Sequence, residues 1–328
     1  MVHQRVKYGI TKFLVSKVRN LGRPLPVRID MLCILYVNAV GALLGVAGLL
    51  AERAFPTAFP RRWLWCVIIP ISVALPGYYR GHHSWAVASA LVEPAARAAT
   101  YDTAINRVWL TVSAVLLLWG LANAWRVSRV ISLSRRGQGD VGGPTIVDGI
   151  PVVVTNLIGP ATVGLWRSRV LVPRWVLGLP EVERHYVLRH EEEHRRAHDA
   201  QILFVASLTL LLMPWNLAMW WQLRRLCLAV EMDCDNRVVN GLGDAPAYGA
   251  LLLRVAEASS RGPRLQPALL GGMGSLEQRL TALLAPTPLR QVQRFLLPAA
   301  VLALVFVVLV MPHPVLGHGP HAHVTMTP

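Results

Sequence analysis

The chain has 328 residues, enough for two domains, and its 54 % hydrophobic content with positive mean hydropathy is that of a membrane protein. Its formal charge of +15 is spread along the chain and flanks apolar stretches. This pattern fits positive-inside topology and argues against direct nucleic-acid binding. Four cysteines without CxxC spacing give no disulfide framework, and Cys33, Cys66, Cys227 and Cys234 read as buried or free thiols.

Residues 1–30 form a basic N-terminal extension carrying Arg5, Lys7, Lys12, Lys17, Arg19, Arg23 and Arg28. Membrane helices follow within 31–127: Met31–Ala51, Trp63–Tyr79 and Val108–Trp125. About 20 residues cross the hydrocarbon, so the first is comfortable. The second is short and carries Pro70 and Pro76. The first run lacks a small-residue cleavage site and does not read as a signal peptide. His82, His83 and Trp85 fall in the 80–107 connection, read as an interfacial loop.

A linker is expected over 128–144, where SRRGQGDVGGP is rich in Gly and charge. Two short β runs then flank Asp148-Gly149, a strong hairpin signal. Another β run spans Arg169–Pro173. Pro180 and Glu181 open a helix, and further helices are expected near 223–240, 246–260 and 276–285. The last begins with Ser275-Leu-Glu-Gln278, a capping-box pattern. A final crossing occupies 291–312, and a His-rich tail over 313–328 carries His313, His318, His321 and His323. Gly and Pro between these histidines favour a flexible tail over a metal site.

Arg290 and Arg294 precede the last crossing and no Lys or Arg follows it, while Arg126, Arg129, Arg135 and Arg136 follow the third. Both signals put the segment between them in the cytoplasm. Three crossings before that segment would leave the basic residues 1–30 outside. Either Trp63–Tyr79 does not cross, or residues 1–30 precede a true start at Met31; both remain open.

His190-Glu191-Glu192-Glu193-His194 falls inside the expected helix. Histidines four apart share a helix face, so two imidazoles can grip one ion. Glu191, roughly 100° round from His190, suits a carboxylate that takes a proton from water rather than one that binds the ion. The plainer alternative is a solvated face, with Arg189–Glu193, Glu191–Arg195 and Glu192–Arg196 as i,i+4 ion pairs. That alternative is accepted for Glu192 and Glu193. A catalytic zinc needs a third protein ligand, and Glu231 is the best candidate. Asp235 shares its face and is placed to support a ligand imidazole. His185 and His198 differ in helical phase and receive no role.

The stretch between these motifs, 201–221, is apolar enough to consider as a crossing. A single crossing would put Glu231 on the wrong side of the bilayer from His194. It must therefore turn back at Pro214-Trp215-Asn216, or pack as a buried helix. Either way the metal lies close to the cytoplasmic membrane surface.

Four segments together resemble the gluzincin membrane zinc metallopeptidases of the β-lactam and methicillin sensor-transducer family. They are IGPATVGLWRSRVLVP (158–173), LRHEEEHRRAHD (188–199), MPWNLAMWWQLRRLCLAVEMDCD (213–235) and LEQRLTALL (276–284). The resemblance implies His190, His194 and Glu231 as zinc ligands, Glu191 as the base, and Asp235 and Asp199 as supports behind the ligands. About 15 residues remain after Pro312, far short of a penicillin-binding sensor domain, so β-lactam sensing through an acylated serine is not expected.

The expected fold is an α-helical membrane protein of about four crossings, with a small α+β zinc peptidase domain over 145–290. Its reaction is hydrolysis of a peptide bond in a cytoplasmic or membrane-proximal protein. The resemblance implies a transcriptional repressor, or the chain itself, as substrate. The alternative is a non-catalytic zinc-binding membrane scaffold, although such a site has no use for Glu191. Oligomeric state is not legible.

Overall fold

Long apolar runs in this chain have few ways to satisfy their backbone except as helices. The computed structural model describes residues 31–54, 59–82, 84–86, 102–136, 141–155, 159–260, 273–284, 291–311 and 313–315. The basic extension 1–30 and the tail histidines His318, His321 and His323 lie outside them. In chain order come α1 (Met31–Ala54), α2 (Arg61–His82), β1 (Ser84–Ala86) and α3 (Asp102–Arg136). The strands β2 (Val141–Val147), β3 (Ile150–Thr155), β4 (Ala161–Val163) and β5 (Arg169–Val172) follow. Then come α4 (Arg174–Leu177), α5 (Glu181–Arg196), α6 (Asp199–Leu212), α7 (Leu217–Leu242), α8 (Ala245–Ser260), α9 (Met273–Leu284), α10 (Gln291–Val310) and β6 (His313–Val315).

Among the described residues, three helices are long and apolar enough to cross a membrane: Cys33–Ala54, Thr103–Arg129 and Val292–Val310. The α2 helix forms where the second crossing was expected but is not among them. α3 outlasts its apolar run, because the arginines after Trp125 are good helix formers. Residues 128–136 are therefore helix rather than linker, and β2 already begins at Val141. Ser275 lies two residues inside α9 rather than at its cap.

The sheet has the order β2-β3-β5-β4, which leaves β4 at an edge. Asp148 and Gly149 both take positive φ (50° and 77°), as the tight β2–β3 hairpin requires. Arg184 of α5 donates two hydrogen bonds to the Asp148 carboxylate, at 2.9 and 3.0 Å, and so ties the hairpin to that helix.

Two cores share one helix. At 26 residues, α7 spans about 39 Å. Its first half buries Met219, Leu223 and Leu226 with Val37 and Val40 of α1 and Trp65 and Ile69 of α2. Its second half buries Cys234 and Val238 with Val170 and Val172 of β5, Leu188 of α5 and Tyr248 of α8. Close approach in the first core depends on Gly45, where an added Cβ would meet the Trp221 ring at 2.2 Å. The 201–221 stretch is divided, with α6 ending at Leu212 and α7 starting at Leu217. At this break three backbone groups are met by other helices. The carbonyls of Leu211 and Leu212 accept from Ser113 and Trp109 of α3, and the Leu217 N–H donates to Asn38 of α1 at 2.9 Å. Inside the new helix, Asn216 caps the Met219 N–H.

Candidate metal centre

α5 enters with Pro180 and two acids in its first turn, both suited to a helix N-terminus. Its C-terminal turns carry His190 and His194 one turn apart, with their Nε2 atoms 3.2 Å from each other. The Glu231 carboxylate, arriving from α7, lies 3.7 Å from each of those nitrogens. Donors around a tetrahedral zinc with bonds of about 2.0–2.1 Å stand about 3.3 Å apart. The three sequence-predicted ligands thus meet at a spacing that fits one ion.

The hydrogen bonds behind them fix which nitrogen faces the centre. α5 ends at Arg196, and His198 turns the chain with a left-handed backbone (φ 59°, ψ 33°) before α6 begins. That corner returns Asp199 to His194, whose Nδ1 lies 2.8 Å from the buried carboxylate. Nδ1 therefore carries the proton and Nε2 keeps its lone pair.

His190 is held differently from the sequence expectation. Asp235 is 3.5 Å from its Nδ1, too far for a hydrogen bond. The Tyr248 hydroxyl sits between them, 2.9 Å from Nδ1, and donates to Asp235 at 2.8 Å. Burial, then the Asp235 charge, push the phenol far above its ordinary pKa, so it keeps the proton it donates. It accepts from His190 Nδ1–H, which again leaves Nε2 as the lone pair. Arg279 of α9 grips Asp235 with two bonds of 2.7 Å and reaches Glu231 at 2.9 Å.

Two lone pairs 3.2 Å apart beside a carboxylate call for a cation between them. Without metal, protons fill that need. Burial disfavours charge on His190, but Cys234 and Glu231 outweigh it and raise the imidazole to about 10. His194 is raised likewise, against burial, by Cys234, Glu231 and Asp199. Burial opposes the Glu231 charge, yet Arg279, His194 and His190 hold its carboxyl well below the usual range.

Glu191 is buried and meets Thr162 of the edge strand β4. The Thr162 hydroxyl donates to the Glu191 carbonyl at 2.6 Å and lies 3.2 Å from its carboxylate. Glu192 and Glu193, expected on a solvated face, are buried because arginines cover them. Of the three ion pairs expected there, Arg189–Glu193 and Glu192–Arg196 form, and Glu193 also pairs with Arg237 of α7. Arg195 turns to Glu192 instead of Glu191.

Sequence reasoning missed Tyr248, Arg279 and Thr162, each from an element remote in the chain. It also took Cys234 for a plain buried thiol. That sulfur could hold a metal with His190 and His194. It lies 3.4 Å from His190 Nδ1 and 3.3 Å from the His190 carbonyl, and although burial opposes it, the two imidazoles lower the thiol's pKa.

An apolar helical frame and a part-buried two-histidine cluster on an HExxH helix define a membrane protein of metallopeptidase type. The family described as BlaR1 peptidase M56 matches residues 67–283, about two thirds of the chain, and the chain belongs to that family. Comparison with curated proteins finds no match.

Proposed function

We propose that the protein is an integral-membrane zinc metalloendopeptidase whose ligands are His190, His194 and Glu231 and whose base is Glu191. The observation that carries this reading is the meeting of both Nε2 lone pairs and the Glu231 carboxylate within 3.2–3.7 Å. Zinc held there supplies Lewis acidity, which makes water a nucleophile near neutral pH and polarises a peptide carbonyl. Glu191 takes the proton of the attacking water and passes it to the leaving amine, while Thr162 keeps its carboxyl in place. Asp199 and the Tyr248–Asp235 pair hold the imidazole tautomers, and Arg279 offsets the carboxylate charge behind them. The edge position of β4, joined to Glu191 through Thr162, supports a substrate that adds as a strand.

The substrate we assign is a cytoplasmic or membrane-proximal protein: a transcriptional repressor, or the chain itself by self-cleavage. The domain over 145–290 faces the cytoplasm in a multi-pass inner-membrane protein, with the α6–α7 break as a re-entrant turn. Support comes from the arginines flanking α3 and α10 and from the partnered backbone groups at the break. The test is zinc content with proteolysis of candidate substrates. Wild type should hold one zinc and cleave, Glu191→Gln should keep zinc and not cleave, and His190→Ala or His194→Ala should lose zinc. Normal cleavage by Glu191→Gln would refute the mechanism.

A further inference from the structure

The hydrogen bonds behind His194 do not stop at Asp199. One Asp199 oxygen meets His194 Nδ1 at 2.8 Å; the other accepts from Arg62 NH1, also at 2.8 Å. Both partners of this pair are shielded, with side chains 11 % and 3 % exposed, so solvent screens it little. Arg237 also approaches Asp199, but at 3.4 Å and on the oxygen already shared with His194. Arg62 is thus the cation that fixes which way the carboxylate faces.

Arg62 belongs to α2, and its backbone is anchored as well. The N–H groups of Arg61 and Arg62 both donate to the Asp233 carboxylate at 3.0 Å. Asp233 stands on α7 two residues from Glu231, so the start of α2 is capped by the helix that carries a ligand. Further along, Trp65 and Ile69 are wedged into the membrane-side core. Arg62 also precedes the region matched by the family.

We propose that Arg62 is a positioning residue for the metal site. It acts through Asp199 to set the orientation of the His194 imidazole, and so makes ligand geometry depend on how α2 is seated. This rests on reading His194 as a ligand. A carboxylate held on one side only can rotate and present either oxygen; held on both sides it presents one.

The experiment is a double-mutant cycle on the full chain in detergent, with zinc affinity measured by competition with a chelating dye and the visible spectrum of the Co²⁺-loaded protein. Arg62→Gln and Asp199→Asn should each weaken zinc by about 10–100-fold, as losses behind a ligand do. The double variant should bind no more weakly than the worse single variant, because both changes remove one interaction. Both single variants should alter the Co²⁺ spectrum, and Arg62→Lys should restore much of the affinity. Arg195→Gln, a charge loss on α5 at a side chain that pairs with Glu192 and touches neither Asp199 nor the proposed ligands, should change neither readout. Wild-type affinity in Arg62→Gln, or losses that add in full, would overturn the proposal. If Arg62→Gln does not fold, Asp233→Asn, which loosens the seat of α2, replaces it, and wild-type affinity there would overturn the proposal equally. Wild-type affinity in Asp199→Asn would overturn the proposal too, whereas a wild type that takes no zinc is a failure of the metal-site reading itself.

Discussion

The Tyr248 hydroxyl lies 2.9 Å from His190 Nδ1 and hands its own proton to Asp235, so the carboxylate supports the imidazole through a phenol rather than by touching it. Tyr248→Phe should keep the ring packed 5.5 Å from Tyr186 while removing the relay. Zinc affinity is expected to fall about 10–100-fold with little change in thermal stability of the metal-free protein. A chelator competition titration showing unchanged affinity would mean that His190 needs no partner at Nδ1.

The identity of the third ligand is open to a direct contest between two residues three apart on α7. The imidazole Nε2 atoms converge on Glu231, whereas Cys234 sits beside His190 Nδ1. Glu231→Ala should therefore lose most zinc affinity, and Cys234→Ser should keep most of it. Co²⁺ loading gives a second check, since thiolate ligation produces an intense near-ultraviolet charge-transfer band. Such a band, or zinc retained by Glu231→Ala, transfers the third ligand to Cys234.

Asp199 reaches His194 only because His198 adopts a left-handed backbone, a conformation that costs a non-glycine residue roughly 1–2 kcal/mol. His198→Gly is expected to keep zinc affinity and cost little stability. His198→Val, which suits that region badly, should lower both the thermal midpoint and zinc affinity. Equal behaviour of the two variants would show that the corner does not set the Asp199 position.

What the sequence made legible was local. His190, Glu191 and His194 follow from helical spacing, the Asp148-Gly149 hairpin from turn chemistry, and the break near Pro214 from the lost N–H of proline. Helix phase also singles out Glu231 with Asp235, and the structure brings the Glu231 carboxylate to 3.7 Å from both imidazoles. Beyond that, periodicity says which face of α8 or α9 is apolar but not that Tyr248 or Arg279 points at a carboxylate on α7. Asp233 shows the same limit. Its phase takes it off the ligand face, as expected, yet nothing local reveals that it caps α2, 171 and 172 residues away. The length of α3 was missed because an apolar count ends at Trp125 while helix propensity continues through the arginines.

Orientation is tested with single cysteines on a background lacking the native ones. Ser134→Cys and Ser259→Cys should resist an impermeant maleimide in intact cells, and Thr325→Cys should react. The warrant is the arginine asymmetry about α10, with Arg290 and Arg294 before it, and the arginines that end α3. The reverse labelling would put the zinc site outside and eliminate a cytoplasmic repressor as substrate.

The last prediction concerns protons. In the metal-free protein His190 is raised from 6.5 to about 10 and His194 is raised as well, and with their Nε2 atoms 3.2 Å apart the pair holds at least one extra proton at neutral pH. Glu231 is held below the usual carboxyl range and is already ionised. Zinc must displace the imidazole protons, so its apparent affinity should rise with pH by one to two log units per unit. That rise should continue past 6.5 and flatten only as the pH passes about 10. An ordinary imidazole is only about 3 % protonated at pH 8 and would release almost nothing there. Calorimetric titrations with zinc at pH 8, in two buffers of different ionisation enthalpy, count the protons released. At least one proton per zinc is expected. The linked stability runs the other way. A group whose folded pKa is raised stabilises the metal-free fold fully below its unfolded value, and that contribution is lost as pH climbs through the folded value. The metal-free protein should therefore lose thermal stability between pH 7 and 10 while the zinc-loaded protein does not. Release near zero at pH 8, with flat affinity above neutrality, would show that protons do not occupy the space between the two histidines.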